Sequence, residues 1–231
     1  MATTLNNLAF LQADTNRHKE AESNYTEALA IRRKLAETNP DAYLSDVAKA
    51  LSNLASLQID TNRHKEAESN YTEALAIRRK LAESNPDAYL SHVALTLSNL
   101  AFLQKDTNRH KEAESNYTEA LAIRRKLAES NPDAYLPNVA TTLNKLAGLQ
   151  AKINRHTEAE ANYAEAFKIY IDFFDRAPDK YRDNLIKVLE GLIEVKEKLL
   201  KNEETAELKK KLEELKNAKE KTENSDTEEK P

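Results

Sequence analysis

The stretch TNRHKEAESNYTEALAIRRKLAE, running from Thr15 to Glu37, decides the fold, because it recurs unchanged from Thr61 to Glu83 and from Thr107 to Glu129. A diverged copy, INRHTEAEANYAEAFKIYIDF, starts at Ile153. Arg17, Arg63, Arg109 and Arg155 keep a spacing of 46 residues, as do Pro40, Pro86, Pro132 and Pro178. A fixed period of this size marks a tandem array, in which each unit buries its apolar face on its neighbour.

Each unit reads as two helices, A and B. In the second unit Val47, Leu51, Leu54, Ala55 and Gln58 form one stripe of helix A, and Ala67, Tyr71, Ala74, Leu75, Ile77 and Leu81 form one face of helix B. Between them lies Asp60-Thr61-Asn62, where Asn62 is suited to the left-handed conformation that ends helices. Helix B should stop near Ser84-Asn85-Pro86, because proline cannot continue a helix interior. The segment DAYLSD is then expected to lead into the next helix A. In the third such segment Pro137 replaces Ser91, which fits a first helical turn.

Composition removes several classes of function. Charged residues make up 32%, glycine occurs twice and cysteine not at all, so no disulfide framework or thiolate chemistry is available. No run of about 18 apolar residues suggests a membrane span, and MATTLNNLAFLQ lacks the features of a signal peptide. The expected location is cytoplasmic. A net charge of −4 offers no general basic face for nucleic acid. There is no Gly-rich phosphate loop, nucleophile elbow or His-Glu-x-x-His. The expectation is a protein that is not an enzyme and needs no cofactor or metal.

Leu8-Ala9 on helix A, then Ala21, Tyr25, Ala28 and Leu29 on helix B, repeat as Leu54-Ala55, Ala67, Tyr71, Ala74 and Leu75. This pattern resembles the tetratricopeptide repeat (TPR), closest to its kinesin-light-chain-like branch through phrases such as LNNLA, EAESNY and EALAIRRKL. The resemblance implies an all-α, right-handed α-solenoid of four TPR-like hairpins plus C-terminal capping helices. Its implied function is protein or peptide binding. The period is longer than the family's usual unit, with the extra residues expected to lengthen helix B and enlarge the linker, so the superhelical pitch should depart from the norm. The family's turn glycine is replaced by Asn16, Asn62, Asn108 and Asn154, and its helix A aromatic by Gln12, Gln58, Gln104 and Gln150.

The expected organisation is four repeats over 1–177 (1–38, 47–84, 93–130 and 139–177, with linkers), capping helices over 178–217, and a disordered charged tail over 218–231. Leu185, Leu189 and Leu192 continue the period after Val139, Leu143 and Leu146. Helix A of the first repeat has nothing before it to cover its apolar face, which suggests a truncated array or end-to-end self-association. The near-identity of the copies reads as recent amplification or an engineered scaffold without a natural ligand.

The copies differ mainly on helix A. The variable slots hold Thr3, Lys49, Leu95 and Thr141; Asn6, Ser52, Ser98 and Asn144; Asn7, Asn53, Asn99 and Lys145; Phe10, Ser56, Phe102 and Gly148; Ala13, Ile59, Lys105 and Ala151; and Asp14, Asp60, Asp106 and Lys152. In TPR arrays this face lines the concave groove. The Asn7, Asn53 and Asn99 ladder resembles the family's backbone clamps, since an amide both donates and accepts; the competing reading is an Asn bonded to the neighbouring repeat. Lys49, Lys105, Lys145 and Lys152 are candidates to receive a carboxylate, and Phe10 and Phe102 to hold an apolar side chain. The expected partner is an extended peptide or a partner protein.

Two other ladders are read as structural. His18, His64, His110 and His156 occur one per repeat, so neighbours lie about 10 Å apart, too far to share a zinc ion. Arg32-Arg33-Lys34, Arg78-Arg79-Lys80 and Arg124-Arg125-Lys126 read as a solvated helix face among glutamates, with a phosphate-binding stripe for RNA as a minor alternative.

Overall fold

The computed structural model describes the backbone of residues 1–228 and the side chains of 1–201 and 203–219. The described residues form helices and turns only: α1 (Ala2–Asp14), α2 (His18–Thr38), α3 (Pro40–Asp60), α4 (His64–Ser84), α5 (Pro86–Asp106), α6 (His110–Ser130), α7 (Pro132–Lys152), α8 (His156–Arg176), α9 (Pro178–Lys198) and α10 (Asn202–Glu228). The chain divides into two units, Met1–Ile123 and Arg124–Pro231. The fold class is the all-α helical-hairpin repeat of the α-solenoid type.

The A-to-B turn is the same in every hairpin. Asn16, Asn62, Asn108 and Asn154 have φ of 59–61°, the left-handed region. At the first turn Asn16 N–H donates to the Ala13 carbonyl at 3.0 Å, and Arg17 N–H donates to the Gln12 carbonyl at 2.7 Å. This is a Schellman closure of the helix end, and it satisfies carbonyls that would otherwise have no partner. The buried Gln12 side chain then accepts from Asn24 Nδ2 at 2.7 Å, and Gln58–Asn70, Gln104–Asn116 and Gln150–Asn162 repeat that bond at 2.7–2.8 Å. The residue that replaces the family's helix A aromatic therefore ties helix A to helix B.

The B-to-A connection differs from the expected linker. A single residue, Asn39, closes α2 by donating to the Leu35 carbonyl and opens α3 by accepting from Ala42 N–H at 3.3 Å. Asn85 and Asn131 do the same for α5 and α7. The reason is chemical: the Asn-Pro-Asp that stops one helix is also an N-cap, a proline at N1 and an acid in the first turn, which together start the next. DAYLSD is helical, and the extra residues of the long period lengthen helix A as well as helix B: α2 to α9 each have 21 residues. Pro137 consequently lies in the second turn of α7, not the first. The helical bond it cannot donate would have gone to Asp133, which stands at the exposed start of the helix where water can reach it.

In the first unit, α1 to α5 pack in consecutive order, with α1 also against α3. One core cluster joins Ala9, Tyr25 and Leu29 of the first hairpin to Val47, Leu51, Leu54 and Leu57 of α3. A second joins Ala55, Tyr71 and Leu75 to Val93, Leu97, Leu100 and Leu103 of α5. Surface ion pairs repeat in the same register: Arg33–Glu73 and Arg79–Glu119, each at 2.6 Å, and Arg63–Glu22 and Arg109–Glu68 at 2.5 and 2.6 Å. Exposed pairs of this kind add little stability singly, but their repetition opposes slippage of one hairpin along the next.

In the second unit α7 to α10 pack consecutively, with α7 also against α9. Leu185, Leu189, Leu192 and Val195 of α9 are buried, as is Leu215 of α10. α10 continues through Glu228, into the segment read as a charged tail; residues 229–231 of that segment lie outside the described residues.

Candidate binding face

The variable slots of helix A separate into two groups. Asn6 is buried, and its Oδ1 accepts from Asn53 Nδ2 at 3.0 Å and from the Arg32 guanidinium at 3.4 Å. Ser98 is buried with its hydroxyl donating to the Ala94 carbonyl at 2.9 Å, and half-buried Ser52 donates to Ala48 in the same way. Asn6 and Ser98 therefore offer no side chain to solvent. Asn7, Phe10, Lys49 and Phe102 are exposed; Asn53, Asn99 and Lys105 are half-buried. Lys105 sits over the Phe102 ring at 5.1 Å. In the second unit Asn144 and Lys145 are half-buried.

Two neighbouring concavities open on this face of the first unit. One, of about 560 Å³, is lined by Phe10 and Asp14 of α1, His18 and Tyr25 of α2, and Asn53, Ser56 and Asp60 of α3. The other, of about 400 Å³, is lined by Lys49, Ser52, Asn53 and Ser56 of α3, Tyr71 and Arg78 of α4, and Tyr89, His92, Leu95 and Asn99 of α5. Asn53 and Ser56 belong to both. The structure thus brings Asn53, Ser52, Lys49 and Asn99 together around one concavity, and Phe10 with Asn53 around the other.

Residue-type reasoning missed the helix B contribution. Tyr71 is in the packing stripe and almost fully buried, yet it also lines the second concavity. Burial pushes its phenol up to about 12, against the opposing effect of hydrogen bonds with Ser56 and Asn99. Part of the hydrogen-bonding capacity of the asparagine ladder is spent inside the chain: one N–H of Asn53 goes to Asn6.

The arginine clusters split: Arg33-Lys34, Arg79-Lys80 and Arg125-Lys126 lie on the solvated helix face, and the first arginine of each cluster does not. Arg32, Arg78 and Arg124 are buried. Each falls three and four residues after the buried Leu and Ala of its own helix B, which puts it on the packing face. Arg78 donates to Thr96 Oγ1 and to the His92 carbonyl, and Arg124 to Thr142 Oγ1 and the Asn138 carbonyl. Desolvation lowers the pKa of both guanidinium groups. Arg33, Arg79 and Arg125 are paired with Glu73, Glu119 and Glu165. The four ladder histidines each begin a helix B, with Nδ1 buried and without a hydrogen-bond partner.

The family follows from the sequence and the hairpin geometry together. The chain matches the tetratricopeptide repeat over residues 1–80, 46–126 and 92–172, and it belongs to that family. Among solved structures it is similar to BtubC (BKLC) from P. vanneervenii, with a TM-score of 0.75 and 22% identity over 92% of this chain and 78% of the other. It is also similar to a putative kinesin light chain from Podosopora anserina with nearly identical TPR-like repeats. That match has a TM-score of 0.70 and 16% identity over 93% of this chain and 94% of the other. A substituted form of the latter gives a TM-score of 0.71 and 15% identity over 95% and 96%. No curated protein sequence matches the chain. Proteins of this repeat family generally mediate protein–protein interactions. Among the described residues no helix is long and apolar enough to cross a membrane.

Proposed function

We propose that the helix A face of this chain holds an extended peptide segment of a partner protein. The observation that carries the reading is the pair of concavities sharing Asn53 and Ser56, one beside each of two successive helix A gaps. Asn7, Asn53 and Asn99 keep acceptor or donor capacity beyond their internal bonds, since a side-chain amide has two donors and an acceptor with two lone pairs. Lys49, Lys105 and Phe102 supply neighbouring contacts, and Asn144 and Lys145 offer the same slots in the second unit. The protein acts as a cytoplasmic scaffold that binds without catalysing a reaction. The burial of Arg32, Arg78 and Arg124 speaks against RNA binding by helix B. Peptide-display selection on the full chain, repeated with Asn7, Asn53 and Asn99 changed to Ala, tests the proposal: peptides enriched on the parent should lose binding. Equal recovery on both would remove the clamp.

A second reading is end-to-end association through α1. Leu8 and Leu11 are 43% and 60% exposed, whereas their equivalents Leu54 and Leu57 are 6% and 2% exposed. Glu27 and Arg17 occupy the slots of Glu73 and Arg63, which in the inner interface pair with Arg33 and Glu22 of the preceding hairpin. The first hairpin therefore presents the apolar strip and Glu27 to solvent, with Arg17 beside them held by Glu20.

A further inference from the structure

We infer that the ligand of the first unit carries one basic and one acidic side chain about three residues apart in an extended segment. The basic group would seat in the Phe10–Asp60 concavity and the acidic group in the Lys49–Arg78 concavity. This rests on the peptide-binding reading and adds to it the charge pattern of the peptide.

The two concavities have opposite electrostatic character. Asp14 and Asp60 line the first and are the last residues of α1 and α3. The carbonyls of a helix end already carry negative partial charge, so an acid there adds to a negative field and is itself unfavourable. The chain places one at the end of both helices beside the same opening. No lysine or arginine lines that opening, while Phe10 and Tyr25 add aromatic surface of the kind that attracts a guanidinium or ammonium group.

One histidine lines each opening, His18 the first and His92 the second; beyond these the second concavity has no acid in its lining and two cations, Lys49 and Arg78. Arg78 is the more telling. Its counterpart Arg32 has a carboxylate nearby, with Nε 3.9 Å from Asp46 Oδ2. His92 stands in the slot of Asp46, so Arg78 meets a backbone carbonyl and a threonine hydroxyl in place of an acid. A guanidinium only 6% exposed, with no carboxylate among its hydrogen-bond partners and facing an open concavity, is complementary to an incoming one. Leu95 and Tyr89 give an apolar wall for the stem of the acidic residue.

The spacing follows from the fold. Adjacent packed helices stand about 8–10 Å apart, and an extended chain advances about 3.3 Å per residue. One concavity step therefore corresponds to about three residues.

The test uses fluorescence anisotropy on the full chain with short Ser/Leu peptides carrying a single variable pair. The pairs are Arg and Glu three residues apart in either order, Arg with Arg, Glu with Glu, and a neutral Leu pair. One of the two mixed orders should bind about tenfold more tightly than either like-charged peptide. Asp60→Asn should weaken the mixed and Arg–Arg peptides but leave the Glu–Glu peptide unchanged; Lys49→Gln should do the converse. If a like-charged peptide matches the better mixed one, or if the two substitutions act alike on all peptides, the charge pattern is wrong while groove binding stands. If no peptide binds, the neutral pair included, groove binding itself is overturned and this inference with it.

Discussion

Gly191 of α9 lies directly against the ring of Tyr163 on α8: a Cβ built on Gly191 would fall 2.4 Å from Tyr163 Cζ. Gly191 occupies the slot held by Asn7, Asn53, Asn99 and Lys145 in the preceding A helices. The ring fills what would otherwise be the ladder position, so the last hairpin seals with an aromatic where the earlier ones carry a polar side chain. Gly191→Ala should destabilise the chain by about 1–3 kcal/mol despite the better helix propensity of alanine, because the buried ring has to move. At Gly148 the same added atom would stand 3.4 Å from the Tyr163 hydroxyl, which is tolerable. Gly148→Ala should be neutral or stabilising by up to about 1 kcal/mol. Urea unfolding of the two variants should give opposite signs; equal effects would contradict the packing.

The α8–α9 junction lacks a device the earlier junctions have. Asn39, Asn85 and Asn131 cap α3, α5 and α7 through their side chains, whereas Ala177 caps α9 with no side-chain bond, at closely similar dihedrals (−150°, 76° against −144°, 80° at Asn39). Ala177→Asn should therefore stabilise by about 1 kcal/mol, and Asn131→Ala should cost a similar amount. Thermal melting of both variants checks this, and a loss of stability in Ala177→Asn would show that the cap cannot form there.

Leu200 closes α9 in the left-handed region at φ 59°, where the four other A-to-B turns use asparagine. Its backbone bonds repeat their pattern, with Leu200 N–H on Glu197 and Lys201 N–H on Lys196. A side chain with Cβ pays about 1–2 kcal/mol for that conformation, and Leu200 is exposed, so little packing is lost on removing it. Leu200→Gly should raise stability by about 1 kcal/mol in chemical denaturation. Leu200→Val, β-branched at the same φ, should lower it.

How much of this was legible in the sequence depends on the kind of signal. The hairpin unit and the Asn16-type turn stand out because an exact period and a left-handed residue are local. The immediate start of α3 at Pro40 is local too, but the same three residues carry a stop and a start signal, and only the capping bond of Asn39 to Ala42 shows that both operate. Asn6 and Asn7 could not be separated by residue type: they are adjacent, polar and variable, yet about 100° apart around the helix, and one is buried under Asn53 and Arg32 while the other faces solvent. Arg78 was hidden for a related reason. Its charge suggests a surface site, but its angular position is that of the packing stripe.

Glu160 links α8 to α9 and to the turn after it, with Lys196 Nζ at 2.8 Å and Lys201 Nζ at 2.7 Å. Burial alone would raise the carboxyl pKa, but the two lysines outweigh it, and the net shift is downward. A depressed folded-state value means the clasp contributes stability above the ordinary carboxylate range and loses it as pH falls through the folded value. Glu160→Gln should therefore be less stable than the parent at neutral pH. The difference should shrink on acidification below the carboxylate range, followed by denaturant midpoints. A difference independent of pH would assign the effect to packing.

The exposed face of α1 has the make-up of a self-association surface. In the inner repeats the equivalents of Leu8 and Leu11 are covered by the preceding helix B, whereas here they face solvent beside Glu27 and Arg17. An apolar strip flanked by one charge of each sign is self-complementary under a two-fold axis, which would set Arg17 of one copy against Glu27 of the other. Sedimentation equilibrium should then show a concentration-dependent dimer that Leu11→Lys converts to monomer, with unchanged helical content by circular dichroism. Arg17→Glu should weaken the dimer, and adding Glu27→Arg should restore it. A parent chain that stays monomeric at all concentrations would rule out association through this face.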